Sequence, residues 1–483
     1  MKFETVIGLE VHVHLKTKTK AFCGCSTEFG SEPNTQTCPV CLGLPGSLPV
    51  LNAKALEYAV KVALALDCKP QEFIKFDRKN YFYPDLPKNY QISQYDMPVG
   101  LDGFVSIDID NVEKKIRVKR VHLEEDAGKL IHKQEGSASL VDYNRCGIAL
   151  LEIVSEPDIN SPSEAFEYLK NLKLIIQYLG VSDCDMEKGS LRCDANISLR
   201  PKGKKQLGTK IELKNMNSFK GVRDALEYEV KRQEDVLSQG GSITQETRLW
   251  DEDKQLTFSM RSKEEAHDYR YFPDPDLVPF TLSREFIAGI RKELPEFPKD
   301  RIPRYIREFG LTQKEADIIV QDKDMCVFFE GCAAVYTQPR KIYNWLTGVV
   351  LAYMNDRKKN ITQLDLKPQA LAKLIQYVEE GRLSNLAAKD VLFYALDEKK
   401  DIDSVIKEKG ATQVSGSKDL EKFVEAALKD NPKSVKDFLA GKENAIMFLV
   451  GQVMKLSKGK ANPKVVKEII IGRLSEDTTY GIK

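Results

Sequence analysis

The sequence predicts an α+β fold, in which a β-rich body is followed by two all-helical parts. Three observations predict it. Up to about residue 294, short alternating runs such as Val11–Leu15 and Arg117–Val121 are broken by Gly, Pro, Asn and Asp turns. From Arg284 onward the apolar period becomes helical. The residues suited to metal binding and proton transfer are also crowded into the first part. All five histidines (His12, His14, His122, His132 and His267) and eight of the ten cysteines fall there. At about 150 residues per domain, 483 residues correspond to roughly three domains. The boundaries are drawn at 1–294, 295–408 and 409–483.

The β-rich part should carry helices over Ala53–Leu66, Pro162–Leu179 and Val222–Leu237. Ser161 can cap the second, with Pro162 in its first turn. The Pro-broken stretch Tyr271–Asp276 marks the exit from the sheet region. Helices then follow over Glu285–Lys292, Gln313–Gln321, Tyr343–Asn355 and Pro368–Gly381. Residues Gly410–Gly416 form a Gly/Ser/Thr-rich hinge between two helical units.

Composition excludes several classes. With 42% hydrophobic and 30% charged residues the chain can build packed cores, which argues against disorder. A net charge of +1 rules out a globally basic nucleic-acid coat but permits a local basic patch. No apolar run is long enough for a membrane span, and the first residues hold no signal peptide. The expected location is the cytoplasm. Neither GxxxxGK[ST], GxGxxG after a strand, GxSxG nor a protein-kinase motif set occurs.

Four groups of residues can carry chemistry. Cys23, Cys25, Cys38 and Cys41 have the spacing of a structural four-cysteine zinc site, which leaves no open position for substrate. Buried free thiols are the alternative. Strand alternation places Glu10, His12 and His14 on one face, either a functional surface or a plain polar strand face. His122, Glu124, Glu125 and Asp126 crowd three carboxylates together, which a cation can hold; a solvated acidic turn is the other reading. A hairpin joined at residues 201–208 would present Asp194, Asn196 and Ser198 beside Lys210, Glu212 and Lys214. Its other face would bury Ala195, Ile197, Leu199, Ile211 and Leu213. Such a face suits Mg²⁺ and a phosphate chain, and a surface hairpin remains open. The span from Arg192 to Arg223 holds nine Lys or Arg against two acids. The fourth group is the aromatic and basic run 77–85, where Arg78 and Lys79 could contact phosphates and the rings could stack on a base or wall a pocket.

Eight strings in one order carry a resemblance: VIGLEVH at 6–12, NYFYPDLP at 80–87, YQISQ at 90–94, HLEEDAGK at 122–129, LEIVSEPD at 151–158, GSLRCDAN at 189–196, KNMNSF at 214–219 and DYRYFP at 268–273. The chain resembles the B subunit of the tRNA-dependent aspartyl/glutamyl amidotransferase over essentially its whole length. The resemblance implies a cradle-like catalytic domain, a helical domain and a small helical tail that contacts tRNA. It also implies a carbon–nitrogen ligase with glutamine as amido donor. ATP and Mg²⁺ would phosphorylate the side-chain carboxylate of misacylated Glu-tRNA(Gln) or Asp-tRNA(Asn), and ammonia would then displace phosphate. A glutaminase A subunit would supply the ammonia and a small C subunit would complete a heterotrimer; DNA and membranes are not expected partners.

By resemblance Glu10, His12 and Glu125 are assigned to one Mg²⁺, with Glu152 and Glu187 as further ligands and Lys79 among the catalytic residues. Glu124, Asp194 and Glu212, with Arg192 and Lys214, are assigned to a second cation or the nucleotide phosphates. The chain departs from the family pattern at Asn89, where Gly is usual, at Ala149, where Pro is usual, and at His14, where Gln is common. From Lys455 to the end seven Lys or Arg face three acids, which points to phosphate contacts with tRNA around 457–463. The rival reading is a non-catalytic, zinc-stabilised tRNA-binding protein, for which a clustered acidic sheet face has no use.

Overall fold

The structure, a computed structural model, describes residues 2–110, 112–132, 138–261, 269–409, 417–442, 444–457, 461 and 463–476. The chain divides into two compact units, Met1–Phe297 and Pro298–Lys483. The expected hinge at Gly410–Gly416 and most of the basic loop at 457–463 lie outside the described residues, as does His267.

In the first unit the strands are β1 (Phe3–His14), β2 (Lys69–Pro70), β3 (Phe73–Ile74), β4 (Asp77–Asn80), β5 (Tyr90–Ser93), β6 (Gly100–Ile109), β7 (Val112–Glu125) and β8 (Lys129–His132). They continue with β9 (Ser139–Asp142), β10 (Ala149–Ser155), β11 (Leu191–Pro201), β12 (Ile211–Lys214), β13 (Thr247–Asp251), β14 (Leu256–Arg261), β15 (Phe272–Pro273) and β16 (Phe280–Thr281). Nine of them build one sheet in the order β14-β13-β12-β11-β1-β10-β7-β6-β2. Every pairing in it is antiparallel except β12 with β13. A smaller sheet, β15-β4-β5, sits beside it.

Antiparallel pairing lets one sheet face be polar while the other packs. The odd residues of β1, Ile7, Leu9, Val11 and Val13, are at most 1% exposed. They join Leu123, Leu151, Ala195, Ile197, Ile211 and Leu213 in one core. The expected β11–β12 hairpin forms, and the five residues expected beneath it are buried.

Helices α1 (Ala53–Ala65), α2 (Pro162–Leu179) and α3 (Phe219–Ser238) cover the apolar face; α4 (Arg284–Lys292) packs on α1. The Ser161 hydroxyl accepts from the Glu164 N–H, and Pro162 occupies the first turn of α2. α3 begins three residues before the expected start because Ser218 caps it, accepting from the Gly221 N–H. Glu229 on α3 is fully buried, and it accepts hydrogen bonds from Arg232, Gln233 and Thr257 and ion-pairs with Arg248 at 3.0 Å. It thereby fastens α3 to β13 and β14.

The second unit is helical throughout its described residues. One hydrophobic cluster runs from Tyr305 to Ile406 and another from Leu420 to Leu474. The helix expected over Tyr343–Asn355 is interrupted by one π turn at Leu346–Val350 between Pro339–Trp345 and Leu351–Arg357. No helix among the described residues is long and apolar enough to cross a membrane.

Replacing Glu229 with Ala leaves Arg248 with only the less buried Glu246, and takes from Arg232 and Thr257 the carboxylate they donate to. The variant should lose roughly 3 kcal/mol or more of stability, read as an earlier unfolding transition in urea; Glu229→Gln, which keeps acceptor capacity, should fall between it and the wild type.

Candidate functional site

The polar face of the sheet is built by register. His12 on β1 stands opposite Glu152 on β10 and Arg192 on β11, and Glu152 in turn stands opposite His122 on β7. One step along, Glu10 stands opposite Asp194. Paired residues in an antiparallel sheet share a face, so a row of acids and imidazoles crosses four strands at right angles to the chain. The His12 Nε2 lies 3.4 Å from Glu152 Oε2, 3.9 Å from Glu10 Oε1 and 4.0 Å from Glu124 Oε1. The His122 Nε2 lies 3.4 Å from both Glu124 Oε2 and Glu152 Oε2.

Glu152 is the shared member. Two sets, Glu10–His12–Glu152 and His122–Glu124–Glu152, each bring their donor atoms within 4.8 Å of one another. Burial alone would raise the Glu152 carboxyl, but the charges and hydrogen bonds of His122 and His12 hold it well below the usual range. Burial, reinforced by the Glu152 charge, raises Glu10. Burial works against the charged form of His122, yet Glu152 and Glu124 push it up to about 9. Burial works against charge on His12 as well, yet hydrogen bonding and charge from Glu152, with the charges of Glu124 and Glu10, raise it.

Lys79 on β4 is half-buried near the row. Its ammonium lies 4.9 Å from the centre of the Tyr269 ring and 6.0 Å from that of Tyr81. Burial disfavours its charge, but Glu124 and Glu152 raise its pKa. On the other flank Lys214 donates to Asp194 at 2.7 Å and lies 3.6 Å from Glu212, which accepts from Thr247. Arg192 donates to Asp126 at 2.9 Å, and His14 meets the other Asp126 oxygen at 2.6 Å.

Two expected ligands stand elsewhere. Glu125 follows Glu124 in β7, so the two-residue period turns it to the opposite face. There it accepts the Ile92 N–H at 2.9 Å and pairs with Lys88. Glu10 and His12 are thus joined by Glu152 rather than by Glu125. Glu187 is exposed in the loop before β11, at the wall of a separate cleft. His122 is the member that residue-by-residue assignment missed; its signal was its i, i+2 relation to Glu124 on one strand. Asn89, where the family usually has Gly, adopts a left-handed φ of 61°, which asparagine tolerates better than most residues.

The four cysteines Cys23, Cys25, Cys38 and Cys41 come together with their sulfurs within 4.8 Å of one another. The Cys38 and Cys41 sulfurs are 3.9 Å apart, close to the roughly 3.8 Å that tetrahedral bonds of about 2.3 Å require. This group could hold a metal ion. The fully buried Lys20 donates to Cys41 Sγ at 3.6 Å. A hydrogen bond from Cys23, with help from Lys20, lowers the Cys41 thiol.

Known proteins share this chain's pattern along nearly its whole length. The profile of the GatB/GatE catalytic domain matches residues 5–288, and that of the GatB domain matches residues 327–474. The chain belongs to the GatB/GatE family. It is 52% identical over 478 residues to the B subunit of the aspartyl/glutamyl-tRNA(Asn/Gln) amidotransferase of Carboxydothermus hydrogenoformans, covering 98% of this chain and 99% of that one. The corresponding B subunit of Caldanaerobacter subterraneus subsp. tengcongensis is 54% identical over 477 residues, 99% of this chain and all of its own. That of Brevibacillus brevis is 52% identical over 469 residues, 97% and 98% of the two chains. Membership of the GatB/GatE family agrees with the resemblance carried by the eight strings.

The Asp126 carboxyl gives a pH test. Burial would raise it, but Arg192, His14 and Arg145 hold it well below its ordinary value. A depressed carboxyl stabilises the fold above the unfolded pKa near 3.9, and this is lost as pH falls through the folded value. Asp126→Asn should therefore cost roughly 2 kcal/mol near neutrality, a buried-pair value reduced because Arg192 and Arg145 remain about one-third exposed. The difference from wild type in urea unfolding should shrink below about pH 4.

Proposed function

We propose that this chain activates and amidates the side-chain carboxylate of misacylated Glu-tRNA(Gln), Asp-tRNA(Asn) or both, using ATP and Mg²⁺. The observation that carries the reading is the row of Glu10, His12, Glu152, His122 and Glu124 on one rigid sheet face, flanked by Lys79, Arg192 and Lys214. A tRNA carrier without chemistry gains nothing from concentrating acids where phosphates must approach.

The donor sets fit a divalent cation, chiefly through carboxylate oxygens. Glu10, His12 and Glu152 would hold one Mg²⁺ and Glu124 would join a second, with Asp194 and Glu212 alongside. Bound there, the metal supplies positive charge that lets the two anions, ATP and carboxylate, approach. Lys79, Lys214 and Arg192 add cationic hydrogen-bond donors for phosphate oxygens. The substrate carboxylate oxygen attacks the γ-phosphorus, the bond to the bridging oxygen breaks and ADP leaves. Ammonia attacks the resulting acyl phosphate, the carbon–nitrogen bond forms, phosphate leaves and the attacking nitrogen gives a proton to a carboxylate of the row.

The sequence holds no amidase-type Ser-Ser-Lys signature, so ammonia would come from a glutaminase A subunit, with a small C subunit completing the cytoplasmic complex. The four cysteines would hold a structural zinc ion. Residues 1–294 would form the catalytic cradle and 295–408 a helical domain, with 409–483 as the tRNA-contacting tail. Glu125 and Glu187 are left out of the metal set.

Two measurements test this. His12→Ala and Glu152→Ala, assayed with the partner subunits, should lower amide formation about a hundredfold or more while binding tRNA like the wild type. Full activity at saturating Mg²⁺ in both would remove the row from the mechanism. Metal analysis should find one zinc per wild-type chain, nearly absent in Cys38→Ser; equal zinc in both would remove the cysteine site.

A further inference from the structure

Lys20 is among the largest fully buried side chains of the protein, at 0% exposure. Lysine is rarely buried so completely, because taking an ammonium out of water is costly unless an opposite charge meets it. Among the described residues no carboxylate pairs with it. Glu125, which lies across Gly147, pairs with Lys88 instead. The ammonium has two partners, the Tyr143 carbonyl at 3.2 Å and Cys41 Sγ at 3.6 Å. A carbonyl carries no net charge, so the sulfur is the one partner that can supply an anion.

The surroundings of that sulfur fit the part. Cys41 is buried while Cys23, Cys25 and Cys38 are only half-buried, and its sulfur also accepts the Cys38 N–H at 3.2 Å. A thiol is a weak acceptor, whereas a metal-bound cysteine is a thiolate able to draw two donors. Four thiolates on a divalent zinc ion leave about two units of negative charge to be answered by the protein. The backbone holds Lys20 in place to answer it. Its N–H donates to Cys25 O at 3.0 Å, and its carbonyl accepts from Asn52 Nδ2 at 3.2 Å. Gly147, at a left-handed φ of 85°, passes beside the stem; a Cβ there would stand 3.4 Å from Lys20 Cδ and 3.5 Å from Cys41 Cβ.

We propose that Lys20 is the built-in counter-charge of the metal-loaded cysteine group, its ammonium donating a charge-assisted hydrogen bond to the Cys41 thiolate. The inference rests on the zinc reading above and adds a residue outside the ligand set that governs how tightly the ion is held. Lys20 is a positioning residue: an ammonium has no lone pair with which to bind a metal. Partners of this kind orient a ligand and tune its charge, and losing one typically weakens metal binding roughly ten- to a hundredfold.

The test uses the full chain with its partner subunits and the variant Lys20→Met, which keeps the stem and removes the charge. Zinc affinity, read by competition with a chromophoric chelator, should fall about ten- to a hundredfold. Cobalt(II) in place of zinc gives a second reading. The ammonium holds the sulfur electrons down in energy, so removing it should move the sulfur-to-cobalt charge-transfer band to longer wavelength. Gln36→Ala is the control. It loosens the same loop by removing the bonds from Gln36 to Glu28 O and Ser31 Oγ, and should leave the band where it is. If Lys20→Met does not fold, Lys20→Gln is read in the same way. Unchanged zinc affinity overturns the inference. So does weaker affinity with an unmoved cobalt band, because the lysine would then only pack the loop. A wild-type chain that binds no zinc overturns the zinc reading instead, and the two failures are thereby separate.

Discussion

The Glu152 carboxylate, 5% exposed and 3.4 Å from the imidazoles of both His12 and His122, is the contact on which the rest of the polar face depends. Carboxylates this close repel, and in a buried setting the repulsion is poorly screened. The sheet keeps them together because backbone pairing on both sides of β1 fixes where each side chain points, and the hydrophobic core beneath resists any slip of register. A one-residue shift of β10 would carry Glu152 into that core. The rigidity of the scaffold and the chemistry of the row therefore come from the same hydrogen-bond ladders.

This arrangement gives the site a polarity along the strands as well as across them. The row itself is charged. Toward Gly8 the face becomes apolar and amide-bearing, whereas toward His14 it becomes a network of Asp126 with Arg192 and Arg145. The four-cysteine group lies off this face. Lys20 joins it to Tyr143 through a 3.2 Å hydrogen bond to the carbonyl, tying the cysteine loop to the segment before β10.

Much of this was legible in the sequence. Alternation in 10–14 and 193–199 gave the polar and buried faces residue by residue, and Ser161 with Pro162 gave the start of α2. The eight strings gave the family. What the sequence could not give was the lateral order of strands, because β1 pairs with β10 and β11, which are more than a hundred residues away. That order puts Glu152 between two histidines. Glu125 parts from Glu124 for a different reason: β7 runs on through Glu125, so strand alternation splits an acidic run that could equally be read as a solvated turn. The π turn at Leu346–Val350 was equally hidden, since its composition continues the helical pattern on either side.

The most direct test follows one oxygen atom. Misacylated tRNA labelled with ¹⁸O in the side-chain carboxylate is incubated with the complex, ATP, Mg²⁺ and an ammonium salt, and the released phosphate is examined by mass spectrometry. If the carboxylate is phosphorylated before ammonia attacks, one labelled oxygen passes into phosphate for each amide formed. Amide accompanied by unlabelled phosphate would contradict activation at this face.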